Sequence, residues 1–264
     1  MTTVGQALER RRKDVPRLVF VAIAVAWVLA VVAELTGTAH ELHHDALIEG
    51  AGRPALWAAL LLFLVAWQAM LAAMMLPSSL PLIRLYENVI RRHEGRGRLR
   101  AAFLGGYVAV WTAFGALAFL GDVGIHHTVD AVPWLAKREW LIAGGVLAIA
   151  GAFQFSDLKE RCLAKCRHPG AYLFARYRRG PAAAFRLGYG HGLYCVGCCW
   201  ALMLVMFAAG VAMLWWMAAL TAVMVYEKTG RHGGALTPIV GVALLALSAL
   251  AIAHPGWLPS RFPH

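Results

Sequence analysis

Seven apolar stretches, at about 17–36, 55–76, 102–120, 139–155, 188–208, 211–227 and 236–253, constrain this chain more than any other feature. About 20 apolar residues make a helix long enough to cross the hydrocarbon of a bilayer. In lipid every backbone polar group needs an internal partner, so stretches of this kind fold as helices. The expected fold class is all-α: a polytopic transmembrane helical bundle of about seven spans, six if the first is cleaved. Composition agrees, since 60% of residues are apolar and only 15% are charged, against about 25% charged in soluble domains. One membrane domain is expected over 1–264, with 17–36 as an N-terminal anchor helix and 236–253 as a C-terminal helix. A break near Ala209-Gly210 divides the long run after His191.

Charge sets the expected orientation. Loops on the cytoplasmic side collect Lys and Arg. With the N-terminus cytoplasmic, 21 of the 25 basic residues fall in inner segments and Arg53, Lys137, Arg138 and Arg261 in outer ones. A miscounted span would scramble that split. The net charge of +11 is thus read as a topology signal on lipid-facing loops, and nucleic acid is not expected as a partner. The first stretch has the basic start of a signal peptide, but its long core carrying Glu34 favours a retained anchor.

Local signals divide the rest. Met74-Met75-Leu76-Pro77 and Pro81 predict a helix end, followed by a short basic surface helix at about Leu82–Arg92. Asp157 with Glu160 predicts an N-cap pair for a helix running to about Arg167 and stopping at Pro169-Gly170.

All five cysteines lie between positions 162 and 199. Cys162 and Cys166 are four apart, so on a helix they share a face and can grip one ion. His168 just beyond offers a nitrogen ligand. In a reducing compartment a disulfide is not expected there. His191, Cys195 and Cys198 have spacings of four and three, which put them within roughly 60° of one another on a helix. Met206 continues that stripe, and Cys199 lies at its edge. Soft Cys, His and Met donors suit Cu(I), with Zn(II) the alternative for a closed Cys/His site. Small, packing cysteines are the competing explanation. The glycines at 188, 190, 192 and 197 allow another helix close approach whether or not a metal binds.

Two weaker sets stand apart. Met70 and Met74, beside Met75, share a face of the second stretch, where thioethers pass Cu(I) or simply fill the core. On the expected outer side, His40 and His44 lie in one loop and His126 and His127 in another. These imidazoles, near carboxylates, could collect Cu(II), Zn(II) or Ni(II). Gln154, Lys159 and Glu227-Lys228 close apolar stretches and read as anchors or as lining of the site.

Phosphate-loop, dinucleotide, nucleophile-elbow and His-Glu-x-x-His signatures are all missing, so no enzymatic activity is indicated. Several motifs together resemble a known family. They are Trp67-x-x-Met70-x-x-x-Met74-Met75-Leu76-Pro77, Gly106-Tyr107-x-x-x-Trp111, Gln154-x-x-x-x-Lys159-x-x-Cys162-Leu163-x-x-Cys166-Arg167 and Gly192-x-x-Cys195-x-Gly197-Cys198-Cys199-Trp200-x-Leu202-Met203. With Trp216-Met217 and Glu227-Lys228 they resemble the bacterial domain of unknown function 2182, over about 55–228. The resemblance implies a metal-binding integral membrane protein with Cys162, Cys166, Cys195, Cys198 and Cys199 as ligands.

The expected function is soft-metal binding at the bacterial inner (cytoplasmic) membrane. Cu(I) would be handled, translocated or delivered to a membrane metalloenzyme, with a metal chaperone as another possible partner. Two alternatives follow from the same residues. Cys195-x-x-Cys198 has the spacing of a thiol-disulfide redox pair, and a structural subunit or assembly factor would use the cysteines for packing alone.

Overall fold

The computed structural model describes residues 17–37, 55–136, 138, 140–209 and 214–254. Among these the regular secondary structure is all helical. The helices are α1 (Arg17–Thr36), α2 (Leu56–Ile90), α3 (Arg96–Ala131), α4 (Pro133–Ala136) and α5 (Trp140–Phe153). They continue with α6 (Asp157–Arg167), α7 (Pro169–Arg176), α8 (Pro181–Ala209), α9 (Leu214–Thr229) and α10 (Gly233–Ala253). Five of them, α1, α2, α3, α8 and α10, are long and apolar enough to cross a membrane. A sixth span results if α5 and α6, bent by 64°, are taken as one broken span. The stretch expected at 211–227 forms α9, whose 16 described residues are shorter than the other spans.

The second stretch corrects the expectation at its prolines. Instead of ending at Pro77, α2 runs 35 residues with Pro77 and Pro81 inside it. A proline within a helix frees the carbonyl four residues earlier. For Pro77 that carbonyl is Ala73 O, and it accepts a hydrogen bond from Trp27 Nε1 of α1 at 3.1 Å. The supposed surface helix is therefore the end of α2. Leu82, Ile83, Tyr86 and Ile90 there are buried with Val19, Phe103 and Leu173. Arg100 and Glu87 form a paired hydrogen bond that ties this end to α3, with Nη2 to Oε2 at 2.9 Å.

The loop after α5 also differs in detail. Ser156, one residue before the expected pair, caps α6 by accepting from Lys159 N at 3.2 Å. Asp157 and Glu160 sit instead in the first turn, where carboxylates favour the positive helix end. Pro169 does stop α6, and it occupies the first position of α7, where proline needs no amide partner.

The most extensive packing in the bundle joins α3 to α8. Glycines permit it. A Cβ on Gly188 would strike the Phe103 carbonyl, and one on Gly106 would strike the Phe185 carbonyl. At Gly192 it would lie 2.9 Å from Val110 Cβ. Small residues at such crossings let backbones touch. Backbone cannot move aside as a flexible side chain can, so Gly188→Ala must separate the helices. We expect it to destabilise the protein by about 1–3 kcal/mol, the usual cost of overpacking. A melting temperature in detergent equal to that of the unsubstituted protein would contradict this.

Candidate metal centre

Helix α8 carries His191, Cys195, Cys198 and Cys199, and all four are buried. Their spacing along α8 aims the cysteines at four neighbouring helices. Cys198 turns toward α6, where its sulfur lies 4.0 Å from Cys166 Sγ. Cys199 turns toward α2, with its sulfur 3.8 Å from Met75 Sδ. Cys195 meets α3 and α9: Tyr107 Oη is 3.2 Å from its sulfur and Lys228 Nζ is 3.1 Å away. Lys228 Nζ also donates to Ser78 Oγ at 3.0 Å and lies 3.9 Å from Cys199 Sγ. The vicinal cysteines leave α8 about 100° apart, and both thiols donate to the Cys195 carbonyl, at 3.1 and 2.7 Å. All five thiols are free and buried.

Cys162 and Cys166 share the face of α6 that packs on α8. At Gly197 a Cβ would come within 2.6 Å of Cys162 Sγ, so the missing side chain makes room for that sulfur. Helix α6 is charged and lies outside the long apolar helices. Burial pushes the Cys162 thiol up from its ordinary value, and the Cys198 sulfur nearby adds to this. A metal ion that bound such a thiol would have to displace its proton.

The other expected ligands are dispersed. His191 Nε2 lies 3.2 Å from Ser79 Oγ, and its ring stacks on Tyr107 at 5.5 Å. His168 is exposed at the junction of α6 and α7. Met70, Met74 and Met206 are buried in the same core as the cysteines. His126 and His127 lie on α3 and not in a loop, because nothing before Pro133 interrupts that helix. His126 Nδ1 is 3.0 Å from the Asp122 carbonyl one turn back. His40 and His44 lie outside the described residues. Among the described residues, no three His, Cys, Asp or Glu side chains gather closely enough to hold an ion.

Distances test whether a soft metal fits. Metal–sulfur bonds near 2.3 Å put two sulfurs about 3.8 Å apart in a tetrahedral site and about 4.6 Å apart in a linear one. The Cys166–Cys198 separation of 4.0 Å falls between those limits. It is far above the 2.05 Å or so of a disulfide. The donor set is sulfur throughout, which excludes hard cations.

Buried charged groups surround the thiols. Lys159 Nζ pairs with Glu227 Oε2 at 2.8 Å, joining α6 to α9. Arg167 Nε donates to the Glu227 carbonyl at 2.8 Å. These bonds fix α6 and α9 relative to each other, and so fix Cys166 and Lys228 around α8. The signal was present in Glu227-Lys228, adjacent charges closing an apolar run. Ser78 and Ser79, which face Lys228 and His191, carried no signal of their own.

A protein-family model, PpoB2, described as copper chaperone, matches residues 64–251. The chain belongs to the PpoB2 family. The match begins within α2 and runs through nearly all of α10, past Lys228, where the sequence resemblance ends. It takes in all five cysteines, Met75 and Lys228, whereas α1 lies outside it. The family description connects PpoB2 members with copper, the metal expected from the donor set. The name under which the resemblance was drawn, domain of unknown function 2182, is not the name of the matching family. No curated protein and no solved structure matches the chain.

Proposed function

We propose that this protein is a multi-pass protein of the bacterial inner membrane that takes up Cu(I) on its cytoplasmic side and hands it on. The observation that carries the reading is the 4.0 Å contact between Cys166 and Cys198. It joins a thiol of the short charged helix α6 to one of the long apolar helix α8. Thiolates are soft ligands that select Cu(I), and Cu(I) accepts two ligands where a structural zinc site requires four. The lack of any three-ligand cluster among the described residues therefore favours copper(I) over zinc. Five or six apolar helices and the 21 basic residues of the inner segments support the membrane placement, with about seven spans if α9 crosses.

In this reading Cys162 and Cys166 receive the ion from a metal chaperone or from solution. Cys198 then shares it, releasing thiol protons. A bis-thiolate Cu(I) complex carries one negative charge, and the Lys228 ammonium stands within the same sulfur group to balance it. Cys195, Cys199 and Met75 offer the next donors, from which copper is delivered to a membrane metalloenzyme. Purified protein is expected to hold about one equivalent of Cu(I), and the Cys166→Ser/Cys198→Ser double variant to hold none against bathocuproine competition. Equal copper retention by both would refute the assignment.

A further inference from the structure

Nine methionines occur in the chain, and the seven among the described residues are all buried in one core cluster together with the cysteines. The exposed large apolar side chains are Leu, Val, Ile, Phe, Trp and Tyr. Among the described residues, no methionine lies on the outer surface of the bundle. The seven come from three helices that meet at the thiols: α2 and α8 each pack against α9.

Their heights form a series. The first step is direct, from Cys199 Sγ to Met75 Sδ at 3.8 Å. At 1.5 Å rise per residue, Met203 lies about 6 Å beyond Cys199 along α8. Met224 lies about 6 Å from Lys228 along α9, and Met217 about 10 Å further. Met70 lies about 7.5 Å past Met75 on α2. Each helix runs so that these steps lead away from α6 and toward the opposite end of the bundle.

A thioether is a neutral, soft donor. It can replace the hydration of a monovalent soft ion without taking up or releasing a proton. It binds more weakly than a thiolate, so an ion can leave it. Leucine would fill the same space without that property.

We propose that these thioethers form a passage for Cu(I) from the thiol cluster to the far side of the bundle, so that the protein moves the ion passively across the membrane. This rests on the copper reading above and goes beyond it, since holding copper at the thiols requires no passage. The ion remains Cu(I) throughout, so the step needs no oxidant or reductant.

Full-length protein in liposomes would be given Cu(I) in ascorbate outside, with bathocuproine disulfonate trapped inside. The orange chelate reports arrival. We expect the unsubstituted protein to accelerate entry over protein-free liposomes. The Met203→Leu/Met217→Leu/Met224→Leu variant should keep its one equivalent of bound copper and lose entry at least tenfold. Methionine to leucine conserves volume and is among the best-tolerated core exchanges. Single Met203→Leu and Met224→Leu variants are expected to slow entry several-fold, so the test does not depend on the triple variant folding. Unchanged entry in these variants, or no entry with the unsubstituted protein while copper stays bound, would overturn the passage and leave the copper centre standing. Absence of bound copper in the unsubstituted protein would remove both.

Discussion

Replacing Lys159 with methionine is expected to lower the stability of the protein by about 3–5 kcal/mol, the cost of removing one partner from a buried ion pair. Lys159 and Glu227 are almost inaccessible, with side-chain exposures of 1% and 2%. Glu227 Oε1 already lacks a hydrogen-bond partner among the described residues. Without the ammonium 2.8 Å from Oε2, the carboxylate would remain buried with no counter-charge. The effect should appear as a large drop in melting temperature in detergent. It should also appear as loss of copper, because this pair holds α6 against α9. The double variant Lys159→Met/Glu227→Leu removes both charges and is expected to recover most of the lost stability, since apolar replacements of buried pairs are often neutral or better. A single variant as stable as the starting protein would show that the pair does no such work.

Lys228→Met is expected to weaken Cu(I) binding by at least 10-fold with little loss of helical content. Two unit charges 4 Å apart interact by about 4 kcal/mol at an effective dielectric of 20. Lys228 Nζ lies 3.1 Å from Cys195 Sγ and 3.9 Å from Cys199 Sγ, so its charge acts on any anionic copper–thiolate complex in this group. Relief from keeping an ammonium buried offsets part of that loss, which is why 10-fold is the lower bound. Methionine adds a thioether of similar length, so lost packing and lost donors do not explain a weaker site. Competition with bathocuproine across both proteins measures the difference. Equal affinities would mean that the ammonium is not the counter-charge of the bound ion.

Some of this architecture could be read from the chain alone. The apolar stretches locate α1, α2, α3, α5, α8 and α10 because a helix in lipid depends on composition over about 20 residues. The reading failed where a distant residue intervened. Pro77 looked like a helix end because its lost hydrogen bond had no visible substitute; Trp27, 46 residues from the carbonyl it serves, supplies one. The helix start at Ser156 was displaced by one residue because Asp157 and Glu160 made a competing pattern. His126 and His127 were placed in a loop because the apolar stretch stops near 120, while the helix continues to Ala131.

Composition and spacing suffice to show a helical chain with basic segments between apolar ones, and thiols concentrated in one quarter of its length. One-turn spacing also put His191, Cys195 and Cys198 on neighbouring parts of one helix. What each of those side chains meets depends on how the helices pack. Helical periodicity gives the angle at which a side chain leaves its own helix and says nothing about which helix faces it. That is why His191 meets Ser79 and Tyr107, Cys198 meets Cys166 and Cys199 meets Met75. It is also why Lys228, which terminates an apolar run in the sequence, stands among the sulfurs in the fold. A buried charge is tolerated only where partners converge on it, and those partners come from α2 and α8, far from Lys228 in the chain.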